Sequence, residues 1–268
     1  MKIGAQLYSL RNYMARPELL DTTFDLVKKM GYQCVQLSGF PCVKEDGAGF
    51  DVDFINSLID KYGLEVNLTH IGGDRLENQL DKVIADHKAI GCDSIGLGGM
   101  PGAWGADDRF TLDFTKRFVE KYNPIAKKIK DAGLNFSYHN HQFEFLKMEN
   151  GQTIMDYLIE NCPDFNFTLD THWVQRGGVS IVSYINKLKG RIKTVHLKEY
   201  TVDRTNINNC KFVPIGDGVI DWVEVVNAFE ANGAEYAFVE QDDATNFPDA
   251  FGQMEKSIKH LISLGLVK

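Results

Sequence analysis

What the 268-residue chain lacks narrows its class before any motif is read. It has no apolar run near the roughly 20 residues that a spanning helix needs, so no membrane role is expected. It has no basic excess: 37 acidic against 29 basic side chains leave a net charge of −8, which speaks against nucleic acid as a partner. Its five cysteines (Cys34, Cys42, Cys92, Cys162, Cys210) form no CxxC pair, and an odd, dispersed set fits reduced core thiols better than a disulfide framework. The amino terminus runs straight into an apolar strand, Lys2 to Tyr8, without a charged-then-apolar leader. These features together lead us to expect a cytoplasmic protein. No GxGxxG follows the first strand, which counts against a doubly wound dinucleotide-binding sheet. No linker or low-complexity segment divides the chain.

What is present is a regular alternation. Strand-like runs lie at 2–9, 34–37, 64–70, 93–98, 134–141, 166–170, 191–197 and 234–240. Helix-like segments follow them at 19–30, 54–62, 76–90, 108–132, 153–161, 181–189, 222–231 and 253–264, with Pro124 a candidate kink in the fourth. Helix after helix stops at a glycine (Gly31, Gly63, Gly91, Gly133, Gly190, Gly233), the residue that tolerates the left-handed turn there. Eight βα units without a break imply an α/β chain folded as a single (β/α)8 TIM barrel over residues 1–268.

Barrels of this kind carry their active sites where the strands end. Strand three ends in His70, and strand five in His139-Asn140-His141, running on to Glu144. Strand six ends in Asp170-Thr171-His172, strand seven in His196-Leu197-Lys198-Glu199, and strand eight in Glu240-Gln241-Asp242-Asp243. Five of the seven histidines therefore converge on one rim, while His87 and His260 fall in helices and call only for a surface or boundary role. So many ionisable groups repel or stay unsatisfied unless something neutralises them, and a divalent cation does so.

The order of these strand ends carries a resemblance: Tyr138-His139-Asn140-His141-x-x-Glu144-Phe145, Leu169-Asp170-Thr171, Val195-His196-Leu197-Lys198, Pro214-Ile215-Gly216-Asp217-Gly218 and Val239-Glu240-Gln241-Asp242. The chain resembles, over essentially its whole length, the xylose-isomerase-like TIM-barrel superfamily. Within it the chain is similar to the sugar phosphate isomerase/epimerase group, with inosose dehydratase and ketose 3-epimerases as relatives. The resemblance implies one divalent cation held by a Glu after strand five, an Asp on strand six, a His on strand seven and a Glu on strand eight. Asp170, His196 and Glu240 match directly. Glu144 is the carboxylate this chain offers after strand five, with His139 or His141 as the alternative donor. Such mixed ligation fits Mn2+ first, then Mg2+, Co2+ or Zn2+.

A site of this kind takes a small-molecule sugar. We assign proton transfer next to a carbonyl to His141, with Glu144 or Glu240 as its partner, because imidazole titrates near working pH. Lys198 is expected to steady an enediolate oxygen or a hydroxyl. His70, His139 and His172 are expected to bind hydroxyls, and Trp104 to cover an apolar sugar face. A dehydratase or lyase running through the same enolisation is the alternative chemistry. A metal-free sugar-binding barrel is the alternative class, and it predicts a broken ligand set. Superfamily nucleases need more ligands and a basic surface. The resemblance also allows a homo-oligomer, although no interface is legible.

Overall fold

A computed structural model describes residues 1–38 and 51–267 of the chain. Cys42 lies outside the described residues. Eight parallel strands close into a barrel: β1 (Lys2–Gln6), β2 (Cys34–Ser38), β3 (Glu65–His70), β4 (Ser94–Leu97), β5 (Asn135–His139), β6 (Phe165–Asp170), β7 (Thr194–Val202) and, after an intervening β8 (Cys210–Val213), β9 (Tyr236–Glu240). Each pairs with the next, β6 with β7, β7 with β9, and β9 with β1 to shut the ring. The expected (β/α)8 barrel is what forms.

The helices outside the barrel follow from their sequences. In α1 (Pro17–Met30), Pro17 opens the first turn, Leu20, Phe24 and Val27 bury one face, and Gly31 ends it at φ 102°. Thr111 caps α5 (Leu112–Asp131) by accepting from the Phe114 amide, and Phe118, Tyr122, Ile125 and Ile129 continue its buried stripe. Pro124 does not end α5. Its missing donor falls on the exposed face, beside the exposed Glu120, where water can satisfy the freed carbonyl.

Four local expectations need correction. The segment expected as one helix over 76–90 is two, α3 (Gly73–Asn78) and α4 (Leu80–Ala89), because Gln79 leaves helical geometry at φ −135°. His87, on α4, is no surface residue; it is fully buried, bonding Thr69 Oγ1 at 2.7 Å and the Val83 carbonyl at 2.6 Å. An unforeseen short helix, α7 (Thr171–Arg176), starts directly on the last residue of β6. The seventh barrel strand runs beyond the barrel to Val202 and pairs antiparallel with β8. Glu199 pins this arm. Its carboxylate accepts from the Tyr200 and Val219 amides and, at 2.6 Å, from the Trp222 indole, while Gly218 leaves no room for a Cβ against it. The Pro214-to-Trp222 segment is thus held by a buried carboxylate.

Inside the barrel, side chains two residues apart on a strand share the inward face. Ser137, Thr168 and Thr194 form one inward layer of hydroxyls, and His139, Asp170 and His196 stand two residues further along the same strands. One extra residue on β3, between the partners of Val35 and Gln36, forms a bulge, a device that commonly re-aims side chains next to sites.

Candidate metal centre and cavity

The layer above the hydroxyls brings His139, Asp170, His196 and Glu240 together, one donor atom from each lying within 4.8 Å of all the others. All four are buried. Three of them, Asp170, His139 and His196, are each held so that one atom is spent on the protein and another is left over. Asp170 caps α7, its Oδ1 accepting from the Trp173 amide at 3.0 Å. Its Oδ2 then faces His139 Nε2 at 3.3 Å and His196 Nδ1 at 3.7 Å. His196 Nε2 lies 2.7 Å from Gln36 Oε1; an amide oxygen only accepts, so the proton sits on Nε2 and Nδ1 carries a lone pair. By the same logic His139 Nδ1 donates to the Gly98 carbonyl at 3.2 Å, freeing Nε2.

Of the leftover atoms, His139 Nε2 and Asp170 Oδ2 meet at 3.3 Å, and the other two lack a hydrogen bond. His196 Nδ1 and Glu240 Oε2 lie 2.9 Å apart, yet neither makes a well-aligned hydrogen bond. Lone pairs that crowd one point without a hydrogen between them fit a cation. Charge agrees. Lys198 Nζ stands 3.1 Å from Asp170, 2.9 Å from Glu240 and 3.1 Å from Asp242, so one ammonium faces three carboxyls. Burial pushes these acids up, but Lys198 overrides it and holds Asp170 and Glu240 well below the usual carboxylate range, with His196 also lowering Glu240. Asp242 rises to about 6 through burial and its acidic neighbours. Lys198 itself is raised despite burial by the same three carboxyls. Two carboxylates and two imidazoles form a divalent-metal-binding site, and the residues present fit the ion.

Glu144 stands outside this cluster, and His139 occupies the place expected for it. Strand β5 ends at His139, and the chain then turns into a 3-10 segment, Phe143–Phe145, that swings Glu144 away. Its carboxyl accepts from the Tyr138 hydroxyl at 2.6 Å and the His141 amide at 2.8 Å, and burial pushes it up to about 8. Glu144 therefore braces the end of β5.

A cavity of about 360 Å3 opens beside the cluster, lined by His70, His139, His141, Lys198, Glu240 and Trp104. Gln6, Tyr8, Ser38 and Asp242 also line it. Gln6 Nε2, His70 Nε2 and His141 Nδ1 are buried with no hydrogen-bond partner among the described residues. His172 is not part of this lining. It sits instead among Trp173, Tyr200 and Phe212, at ring distances of 4.4, 4.7 and 4.9 Å. Gln6 and Gln36 escaped the sequence reading, although a lone amide inside an apolar strand (Ala5-Gln6-Leu7, Val35-Gln36-Leu37) is the sign of an inward polar position.

The sequence pattern described as xylose isomerase-like TIM barrel matches residues 24–264. The chain belongs to that family. Among xylose isomerase-like TIM barrels of known structure, it is similar to a sugar phosphate isomerase/epimerase from Parabacteroides distasonis ATCC 8503. The TM-score is 0.80 at 23% identity, over 100% of this chain and 96% of that one. It is also similar to D-allulose 3-epimerase from Methylomonas sp., with a TM-score of 0.71 and 15% identity over 98% and 97% of the two chains. In sequence, it is 28% identical over 203 residues to inosose dehydratase of Geobacillus thermodenitrificans (strain NG80-2), covering 69% of this chain. That match spans 61% of the dehydratase's length. Among the described residues, no helix is long and apolar enough to cross a membrane.

Proposed function

We propose that this protein is a divalent-metal-dependent sugar isomerase or epimerase, acting on a ketose or keto-sugar by removing a proton next to the carbonyl. The observation that carries the proposal is the His/His/Asp/Glu cluster, its donor atoms crowded within 4.8 Å and two of them without a hydrogen bond, at the edge of a polar cavity. When bound, a divalent cation supplies a Lewis acid for the carbonyl and a counter-charge for the enediolate. Two imidazoles among the donors shift the choice towards Mn2+, Co2+ or Zn2+ and away from Mg2+, and we take Mn2+ as the native ion.

The chain's own groups supply the rest. His141 lines the cavity with Nδ1 free, and burial, then the neighbouring His139, holds its proton affinity far below that of ordinary imidazole. It is therefore neutral, which leaves a ring nitrogen open to a proton, and negative charge developing on the substrate raises its basicity as the proton moves. Glu240, ionised at the same wall, is its proposed partner. Glu144 serves by fixing the backbone of His141. Lys198 brings a fixed positive charge to where the oxyanion develops. Gln6 Nε2 and His70 Nε2 await hydroxyls.

A substrate with a leaving group β to the carbonyl turns the same proton removal into a dehydration or lyase reaction, and the relative named inosose dehydratase supports keeping this second reading. Proton exchange in deuterated water with Mn2+, followed by NMR over ketoses, inososes and 3-keto-glucosides, tests both. Deuterium next to the carbonyl, lost with a chelator or in Glu240→Gln, is the expected result. A protein that holds its metal yet exchanges nothing across the panel overturns the enolisation reading.

A further inference from the structure

A second hollow, of about 410 Å3, opens on the same rim as the metal-side cavity and shares one wall with it. That wall is Trp104, which lines both. Its ring stands edge-on to His141 at 5.1 Å and to Phe143 at 5.5 Å, and those two rings stack on each other at 5.5 Å. Phe110 then stacks on Phe143 at 5.0 Å, so aromatic faces run from the sugar cavity outwards. Leu146 completes an apolar surface, and at the edge stands Arg176, which has no carboxylate partner among the described residues.

Two features mark this surface as built. Trp104 is 66% and Leu146 48% exposed, although large apolar side chains are ordinarily covered. Phe110 takes φ +71°, the one non-glycine residue at positive φ among the described residues. A bulky side chain is strained there, and such strain gathers at ligand clamps. Here it holds the Phe110 ring against Phe143, inclined by 30°. Gly99, at φ +154°, lets the loop bring Trp104 in so close that a Cβ would meet the indole at 2.5 Å.

We infer that this groove is a substrate subsite, and that the natural substrate is a sugar carrying an apolar, ring-bearing substituent rather than a free monosaccharide. The inference rests on the sugar reading proposed above and specifies its substrate class. The sugar lies against the metal-side cavity; the substituent passes the edge of Trp104 and lies in the hollow against the exposed sides of Phe110 and Leu146. The metal-side cavity alone lies near the lower end of the roughly 300–1,000 Å3 typical of small-molecule sites, and the groove more than doubles it. Polar unpaired groups on one side of Trp104 and aromatic faces on the other match a ligand with the same two halves.

The test is titration calorimetry on the Mn2+-loaded full chain with matched pairs, phenyl and methyl β-D-glucopyranoside and their galactoside counterparts. We expect the phenyl member to bind about tenfold more tightly. Leu146→Asp and Phe110→Ala should abolish that preference while leaving the methyl affinity unchanged. Leu146→Asp alters an exposed position, so it keeps the test valid if Phe110→Ala fails to fold. Equal affinities with the methyl ligand bound, or a preference that survives both substitutions, overturn the inference and leave the sugar reading standing. Binding of neither member of either pair overturns the inference, and the deuterium-exchange panel run on the same preparation decides the sugar reading separately. A dimer in solution that Leu146→Asp dissociates assigns the groove to a second copy of this chain and overturns the inference too.

Discussion

Two layers of the same barrel, two residues apart on the same three strands, behave in opposite ways. In the lower layer Thr168 Oγ1 lies 2.7 Å from Ser137 and 2.8 Å from Thr194, so the hydroxyls close on one another. In the upper layer His139, Asp170 and His196 each spend one atom on Gly98, on the start of α7 or on Gln36, and turn a second acceptor towards the shared centre. Burial is equal, so the difference lies in the partners. A hydroxyl both donates and accepts, and three of them satisfy each other; carboxylates and tautomer-fixed imidazoles only accept inwards and need a cation.

The sharpest way to break this contrast is to remove an acceptor from the upper layer. Glu240→Gln or Asp170→Asn should take metal content from about one ion per chain to near none by elemental analysis. Wild type with free Mn2+ at 100-fold its Kd should gain about 2.7 kcal/mol of stability, and these variants nothing. Next in size is Gln36→Leu, which removes the acceptor that fixes the proton of His196. Metal affinity should fall about 10–100-fold by calorimetry. Unchanged affinity would mean that the carboxylates alone orient the ring.

Acid should weaken metal capture as well. Glu240 and Asp170 raise the proton affinity of His196 against the opposing effect of burial, so a proton competes for the group that binds the ion. Affinity is expected to drop as pH falls below neutrality.

Glu144 works in the opposite direction on stability. Its pKa is raised from 4.5 to about 8, so its contribution is complete below about 4.5 and is lost as pH rises through 8. In chelator, wild type should lose on the order of 5 kcal/mol relative to Glu144→Gln between those limits, read by urea unfolding. A difference that does not vary with pH would show Glu144 to be ionised throughout. The smallest effect belongs to the lower layer. Thr168→Val should cost about 1–2 kcal/mol of stability and leave metal affinity as it was.

The barrel was legible because its signals are local: glycines that end helices, and apolar runs that end in charge. Asp170, His196 and Glu240 were legible for the same reason, each lying on a strand where alternation fixes direction. Glu144 lies five residues beyond His139, past the strand, where alternation no longer holds, whereas His139 stands in step with Ser137. The antiparallel arm left no such trace, since Cys210–Val213 is short, only partly buried and approached through Asn- and Thr-rich chain. The aromatic box around His172 is assembled from β8 and two other elements, and no local pattern announces it.

All four members of the metal centre lie between residues 139 and 240, so the second half of the chain carries every donor. The hydrogen bond from His196 to Gln36 spans 160 residues of sequence and reaches back to β2. During synthesis the emerging carboxy-terminal half therefore finds the orientation of its own ligand already waiting in the part made first. A fragment beginning after α4 would own the complete donor set and still lack the instruction for using it, so ion capture in this barrel reports that both halves of the ring have met.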